Sequence, residues 1–412
     1  MFSRPTREER LERRRRKSVE YAQDPFYKRV LKWIEARGRG GLLNLVHLVQ
    51  GTRPVSLPID FDRIQSILFI RNDAIGDTVV SAPIWQTVRR RYPHLRIGVV
   101  ASFLNRSLIE RDPAVDRVYD GTLDFSPAGR TQLLTTRRAL RMQSWDIVLP
   151  LIYGKKTKIS VFTHWLVPRA PLVTLLVPGE TIERYGKLFD GTAISRLPDD
   201  APMSLLLREH LALTAGIEIT DEEWKGKLYP AEASLERIDK ALDEILSADR
   251  TSRIVHINLS AQMAAREFGI ERSVELARLI LAANPDCSVV MTSIRLHRDQ
   301  ALRVLADAAI SRAHIVATDT IDDVIAIVRH ASLVITPDTS VMHIAAAEAK
   351  PIIGFYTIRN EWVPVGVPAV LFVVHKGNQV STIPIEEVAT AASELLRGMY
   401  TTASWRVRDS MH

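Results

Sequence analysis

The chain is expected to be an α/β protein, with two Rossmann-like doubly wound domains facing a cleft and a basic helical arm ahead of them. Three observations predict this. From residue 64, short apolar runs alternate with amphipathic stretches, the pattern of parallel βαβ units. The same alternation restarts at Arg253 after a polar interval. The length, 412 residues, exceeds one ordinary domain and suits two, each with its own core.

Each element follows from its local pattern. In the first series, strands are expected at 64–71, 96–101, 115–119 and 146–153, with helices at 77–91 and 131–142. Residues 155–200 mix prolines with apolar runs and give no clear pattern. A helix at 202–215, a polar loop at 216–231 and a helix at 234–246 follow. In the second series, strands are expected at 254–259, 288–292, near 315, at 333–336 and at 351–356. The helices between them are expected at 273–283, 297–309, 321–330 and 340–349. A last helix at 385–398 would cross back to the first domain. The expected units are therefore an arm at 1–60, a first domain at 61–232, a second at 250–384, and a helix and tail at 385–412. Ligands of such sheets bind at the carboxyl ends of the strands, so the interdomain cleft is the expected site.

Charge narrows the function classes. The net charge is +7, but residues 1–40 carry 13 Lys and Arg against 6 Asp and Glu, and the remainder carries 42 of each. The body is neutral, unlike a nucleic-acid-binding domain with a basic face. Residues 26–50 interleave Phe26, Val30, Leu31, Trp33 and Ile34 with Lys28, Arg29, Lys32 and Arg37. Two readings stand: adsorption to an anionic membrane surface, or a helix packed on the body with a solvated basic face. Cys287 is the single cysteine, which excludes an internal disulfide and a multi-cysteine metal finger. The N-terminus has no apolar stretch behind its charges, and no apolar run approaches the roughly 18 residues of a membrane span. The cytoplasm is the expected address.

Three loops carry candidate chemistry. IRNDAIGDTVV (70–80) places Asp73 and Asp77 in the turn between a strand and a helix. Asp77 reads as an N-cap or as a general base taking a proton from an attacking hydroxyl. INLSAQMAAREF (257–268) leads from a strand to Arg266, a solvated loop arginine or a partner for a leaving phosphate. TPDTSVMH (336–343) opens a helix whose N–H groups and dipole suit a diphosphate. The alternative is an ordinary cap by Asp338 or Thr339, with His343 on the surface.

Taken together, these stretches resemble glycosyltransferase family 9, the ADP-heptose:lipopolysaccharide heptosyltransferases. The resemblance lies in RNDAIGDTVVSAPIWQTVRRRYP (71–93), INLSAQMAAREF (257–268) and LVITPDTSVMHIAAAEAKPIIGFYTIRNEWVPVG (333–366). It implies a GT-B fold and an inverting transfer, needing neither metal nor cofactor, from a nucleotide-diphosphate sugar, by resemblance ADP-linked. The implied base is Asp77, and the implied donor residues are Arg266, Asp338, Thr339, Ser340, Val341, Met342 and His343. Charge alone suggests Arg71, Arg184 and Lys187 for an anionic, lipid-linked acceptor, and Asp73, read as shaping the turn, is placed on the same acceptor side, with the arm carrying the enzyme to the inner face of a bacterial inner membrane. Several positions depart from the family pattern. Ser340 and Val341 replace glycine and proline, and Arg266 replaces lysine. The carboxylate expected after the strand SVVMT is missing or displaced to Asp299. That departure keeps UDP- and GDP-sugar donors open, alongside a non-catalytic nucleotide-sugar-binding protein.

Overall fold

In the computed structural model, the described residues are 53–407, except 125, 155, 199, 247–252, 262, 358–361 and 375–378. Residues 1–52 of the basic arm lie outside them.

The first domain runs β1 (Ser66–Arg71), α1 (Ile75–Arg91), β2 (Arg96–Ala101), α2 (Arg106–Glu110), β3 (Arg117–Asp120), α3 (Pro127–Arg141) and β4 (Ile147–Pro150). The segment that gave no clear pattern contains α4 (Lys156–Leu166), β5 (Val173–Leu176), α5 (Ile182–Tyr185) and β6 (Gly191–Ile194). Helix α6 (Met203–Ala215) follows and ends at Gly216, whose φ of 67° is the left-handed cap that glycine adopts without strain. Four strands pair in parallel in the order β3-β2-β1-β4. A parallel bridge from Val148 to Leu172 leads on to the β5-β6 pair. All six residues of β1 are buried, as a central parallel strand covered on both faces requires.

Helix α7 (Glu232–Leu246) leads into the second domain. There the order is β7 (Arg253–Asn258), α8 (Ile270–Ala283), β8 (Cys287–Thr292), α9 (Arg295–Ala308), β9 (Ala313–Ile315), α10 (Ile321–His330), β10 (Ala331–Pro337), α11 (Ser340–Ala347), β11 (Ile352–Tyr356) and β12 (Ala369–Val373). Helix α10 is opened by a capping box between Thr320 and Asp323. The chain finishes with α12 (Ile385–Leu396) and β13 (Ala403–Val407). The seven strands are parallel, in the order β13-β12-β11-β10-β7-β8-β9. The strand order reverses between β1 and β4 in one sheet and between β7 and β10 in the other, the points where such sheets open a crevice.

Helix α12 differs from its expected path. Val388, Ala391, Ala392 and Leu395 pack into the second domain's core with Leu276 and Ile280 of α8. The chain then adds β13 to the edge of the same sheet. The apolar face of α12 is satisfied there, so the helix does not cross back.

One apolar cluster joins the two domains. Val79 of α1, Leu108 of α2 and Leu228 pack with Ile325, Val328, Val341 and Met342 of the second domain. Arg111 adds an ion pair with Asp322 of α10 and donates to the Tyr229 carbonyl. These contacts bring the N-terminal ends of α1 and α11 against one another.

Candidate active site

Arg71 ends β1 and organises the first loop. It is 1% exposed, so its charge must be satisfied internally. Its Nη1 donates to Asp73 Oδ2 at 3.0 Å and to the Leu151 carbonyl at 2.6 Å, and its Nε donates to the Asp77 carbonyl at 3.1 Å. Nε and Nη1 are thus committed to the loop, while Nη2 has no hydrogen-bond partner and Arg71 also lines the cavity beside Asp77.

Asp77 is not the N-cap. The cap is Ala74, which has no capping side chain, and Asp77 is the third residue of α1. A carboxylate in the first turn faces the positive end of the helix dipole. Asp73 lies beside it. Burial, reinforced by the neighbouring Asp77, pushes the Asp73 carboxyl up to about 6, against the opposing pull of Arg71.

Across the cleft, Thr339 is the N-cap of α11. The loop is tied down by Asn258 at the end of β7, whose amide donates to Thr336 Oγ1 at 3.0 Å and to Thr339 Oγ1 at 3.2 Å. Arg266 pairs with Asp338, with Nη1 3.3 Å from Oδ2 and 3.2 Å from the carbonyl. Ser340 is half-buried at the helix start. The first N–H groups of an α-helix have no intrahelical acceptor, so this end can receive an anion. The side chains of Val341 and Met342 turn inward instead. Met342 is fully buried, and the Tyr356 hydroxyl donates to its sulfur at 2.7 Å. Any contact of these two residues with a ligand at the loop falls to their backbone.

His343 bridges the halves rather than lying on the surface. A Cβ on Gly76 would come within 2.7 Å of His343 Cδ2, so the close approach of α1 to α11 depends on glycine. The imidazole also meets the Trp362 ring edge-on, at 6.0 Å between centroids. Burial pulls its pKa down, opposed by Asp338 and Asp77. Asp77, His343 and Asp338 thus form one cluster that spans the two domains.

A cavity of about 500 Å³ opens beside Asp77. Arg71, Asp73 and Asp77 line one side, Tyr153, Val177, Pro178, Met203 and Leu206 line another, and Trp362 joins from the second domain. Beneath it, Lys156 anchors the 177–180 wall. Its ammonium donates to Thr174 Oγ1 at 3.0 Å and lies 3.8 Å from Glu180, and burial pulls its pKa down to about 8. Tyr153 bonds His210 Nδ1 at 2.9 Å, and burial holds His210 neutral, with its pKa near 3. Sequence reasoning missed Tyr153 and Lys156, which flank or lie in the stretch without a clear pattern, and His210, which lies inside an expected helix.

The remaining candidates fall elsewhere. Lys187 is exposed and does not line this cavity, and the side chain of Arg184 lies outside the described residues. Asp299 is exposed on α9. The carboxylate at the mouth of β8 is Glu267, which accepts from the Ala261 amide at 3.3 Å and lies 3.7 Å from His297 Nδ1. It belongs to the adjacent loop, so no motif after β8 could reveal it.

The model of glycosyltransferase family 9 (heptosyltransferase) matches residues 184–382. No curated protein matches the chain. Among solved structures, the fold is similar to a family 9 glycosyl transferase from Veillonella parvula, with a TM-score of 0.63 at 17% identity, covering 83% of this chain and 99% of that one. It is similar to the E. coli heptosyltransferase WaaC with ADP, with a TM-score of 0.61 at 16% identity, covering 80% and 99%. It is also similar to E. coli ADP-heptose lps heptosyltransferase II, with a TM-score of 0.57 at 18% identity, covering 81% and 99%. At such identities the structural likeness establishes the fold, the two-domain GT-B arrangement expected from the sequence. The family model matches through the second domain's loops at 257–268 and 333–343, so this part of the chain is similar to glycosyltransferase family 9, and with the shared fold it supports a glycosyltransferase.

Proposed function

We propose that the enzyme moves a heptose or a related sugar from a nucleotide-diphosphate donor to a hydroxyl of a lipopolysaccharide-core-like acceptor, with inversion at the anomeric carbon. The observation that carries this reading is the meeting of the Asp77 loop with the N-terminus of α11 at Gly76 and His343. It supports a reading in which a carboxylate and an anion-binding helix end face one reaction centre.

The chemistry follows from that placement. Asp77 accepts the proton of the acceptor hydroxyl as its O–H bond breaks. The acceptor oxygen bonds to the anomeric carbon, and the carbon–oxygen bond to the diphosphate breaks, its electron pair leaving with the phosphate. The N–H groups opening α11 and the Arg266 guanidinium stabilise the charge that develops there. This assigns the leaving-group stabilisation to the chain's own groups, with no metal or cofactor in the step. The 500 Å³ cavity beside Asp77 would hold the acceptor sugar against Tyr153, Met203 and Trp362.

An ADP-linked donor is favoured by the family match and by the fold shared with WaaC, whose solved structures contain ADP and ADP-2-deoxy-2-fluoro heptose. A lipid-linked acceptor would suit the basic, apolar-studded sequence of residues 26–50, acting at the cytoplasmic side of a membrane. Among the described residues, no helix is long and apolar enough to cross a membrane. A donor screen with mass-spectrometric detection of the sugar transferred to extracted lipid acceptors tests the proposal. Transfer from ADP-heptose supports it. Transfer from a UDP- or GDP-sugar with none from ADP-heptose replaces the donor, and no transfer from any donor favours a binding protein. Removal of residues 1–52 should weaken binding to anionic liposomes, and unchanged binding removes the membrane role.

A further inference from the structure

The neutral total of residues 41–412 conceals an uneven distribution. Between 127 and 170 the chain carries eight Lys and Arg against a single acid, Asp146. That acid is engaged at the entry to β1, where its carboxylate accepts from the Gln65 amide and the Ser66 hydroxyl, both at 2.9 Å. The basic side chains lie mostly on α3 and α4. Leu133 and Leu140 of α3 and Ile159 and Phe162 of α4 pack inward with Leu68 and Ile70 of β1. Ile67 and Phe69 of the same strand face the other way and pack with Ile84 and Trp85 of α1. Helices α3 and α4 therefore cover the side of the sheet opposite α1, the helix that meets the second domain.

Their outward face is both cationic and apolar. Along α3 the exposed residues Leu134, Arg138 and Arg141 recur at helical spacing. Met142 follows at 78% exposure, and Trp165 at the end of α4 is 36% exposed. Arg137 lies over the Trp165 ring, 4.9 Å from its centroid, and its Nε donates to the Trp165 carbonyl at 2.9 Å. Among the described residues, none of Arg137, Arg138, Arg141, Lys158 or Arg169 has an acidic partner. A cavity of about 390 Å³ beside them is lined by Arg141, Met142, Trp145, Pro168 and Arg169. Trp145 is 5% exposed, and its indole N–H has no acceptor. Two unpaired guanidiniums and an unsatisfied N–H are a set of donors that the protein itself does not use. The Arg53 guanidinium donates to the Arg169 carbonyl, so the basic sequence of residues 26–50 precedes a residue seated beside this cavity.

We propose that the α3–α4 face docks on an anionic lipid bilayer, with Arg138, Arg141 and Arg169 against lipid phosphates and Leu134, Met142 and Trp165 at the acyl boundary. Guanidinium groups pair with phosphate through their planar fork, and tryptophan settles at the membrane–water interface. A nucleic-acid backbone would meet the arginines but leave Leu134 and Met142 in water. Docking on this side of the sheet leaves α1 and Asp77 free. The surface rests on the reading of a lipid-linked acceptor for its purpose, not for its binding.

The test uses the full chain and vesicles of phosphatidylcholine, with or without phosphatidylglycerol, that contain no glycan acceptor. Sedimentation should carry the wild type down with the anionic vesicles and leave it in solution with the neutral ones. Each cation near such a surface contributes roughly five-fold, so Arg138→Glu with Arg141→Glu should weaken anionic binding by about 10-fold or more. Both side chains are exposed, and thermal denaturation should match the wild type. Separately, tryptophan emission should shift to the blue on anionic vesicles, and by less in Trp165→Phe. Undiminished binding by the charge-reversed protein overturns the face; if removal of residues 1–52 then abolishes binding, docking belongs to the arm alone. Failure of the wild type to bind anionic vesicles also overturns it, and retention on double-stranded DNA would then assign the face to nucleic acid. Vesicle binding that depends on Arg138 and Arg141, with no sugar transfer to any lipid acceptor, would remove the acceptor reading and leave the docking surface standing.

Discussion

Gly76 of α1 and His343 of α11 touch across the domain boundary, where any side chain on Gly76 would lie 2.7 Å from the imidazole. This one contact sets the spacing between the Asp77 loop and the helix end opposite it. Gly76→Ala forces either the imidazole or α11 to move. Overpacking of this kind costs about 1–3 kcal/mol, and misplacing the groups by 1 Å can cost ~100-fold in rate. The paired test is Gly76→Ala in a His343→Ala background, which has room for the methyl. Thermal denaturation and transfer rates should show the alanine at 76 costing less there than in the wild type.

Arg266 meets both the carboxylate and the carbonyl of Asp338. A lysine keeps the charge but loses the planar fork. Arg266→Lys is expected to raise the donor KM by about 10-fold, equivalent to about 1.4 kcal/mol, with a smaller change in kcat. Steady-state kinetics with varied donor would check it.

The domains are held together partly by Arg111 and Asp322, the latter 8% exposed. Arg111→Ala leaves the acid and the Tyr229 carbonyl without their donor. A loss of about 1–3 kcal/mol is expected in urea unfolding.

Acid should destabilise the fold through its buried histidines. Burial pulls the pKa of His256 down to about 4 from the ordinary 6.5, while its Nε2 bonds Thr292 Oγ1. Below pH 6.5 the unfolded chain therefore takes up a proton that the folded chain refuses. The neutral imidazole's contribution is complete above pH 6.5 and is lost as pH falls toward 4, by up to about 3 kcal/mol. Asp73 acts oppositely, since the folded protein keeps its proton up to about pH 6 and gains stability as pH falls from there toward 3.8. His256→Gln should flatten the dependence between pH 6.5 and 4, as measured by urea unfolding at several pH values.

Much of the fold was legible because its central strands are continuous apolar runs and its helices carry a clear period. Strand β1 and the β10–α11 unit are examples. The edge strand β13 was missed because its five residues, ASWRV, are too short and mixed a run to show a strand period. The path of α12 was misjudged because its apolar face does not say which core receives it. At the site, the loops were visible but their orientations were not. Helix α11 is apolar on most sides because it lies between a sheet and α1, so helical spacing could not show that Val341 and Met342 turn inward. Nor could sequence show that Arg71 Nη1 also donates to the Leu151 carbonyl, 80 residues away.

The central claim is that Asp77 removes the acceptor's proton while the α11 loop holds the donor. The most direct measurement is transfer by Asp77→Asn, together with its thermal stabilisation by ADP. General-base catalysis contributes roughly 10²–10⁴-fold, so turnover should fall by that factor while the ADP-induced shift stays near that of the wild type. Turnover within a few-fold of the wild type, with ADP still bound, would contradict the account.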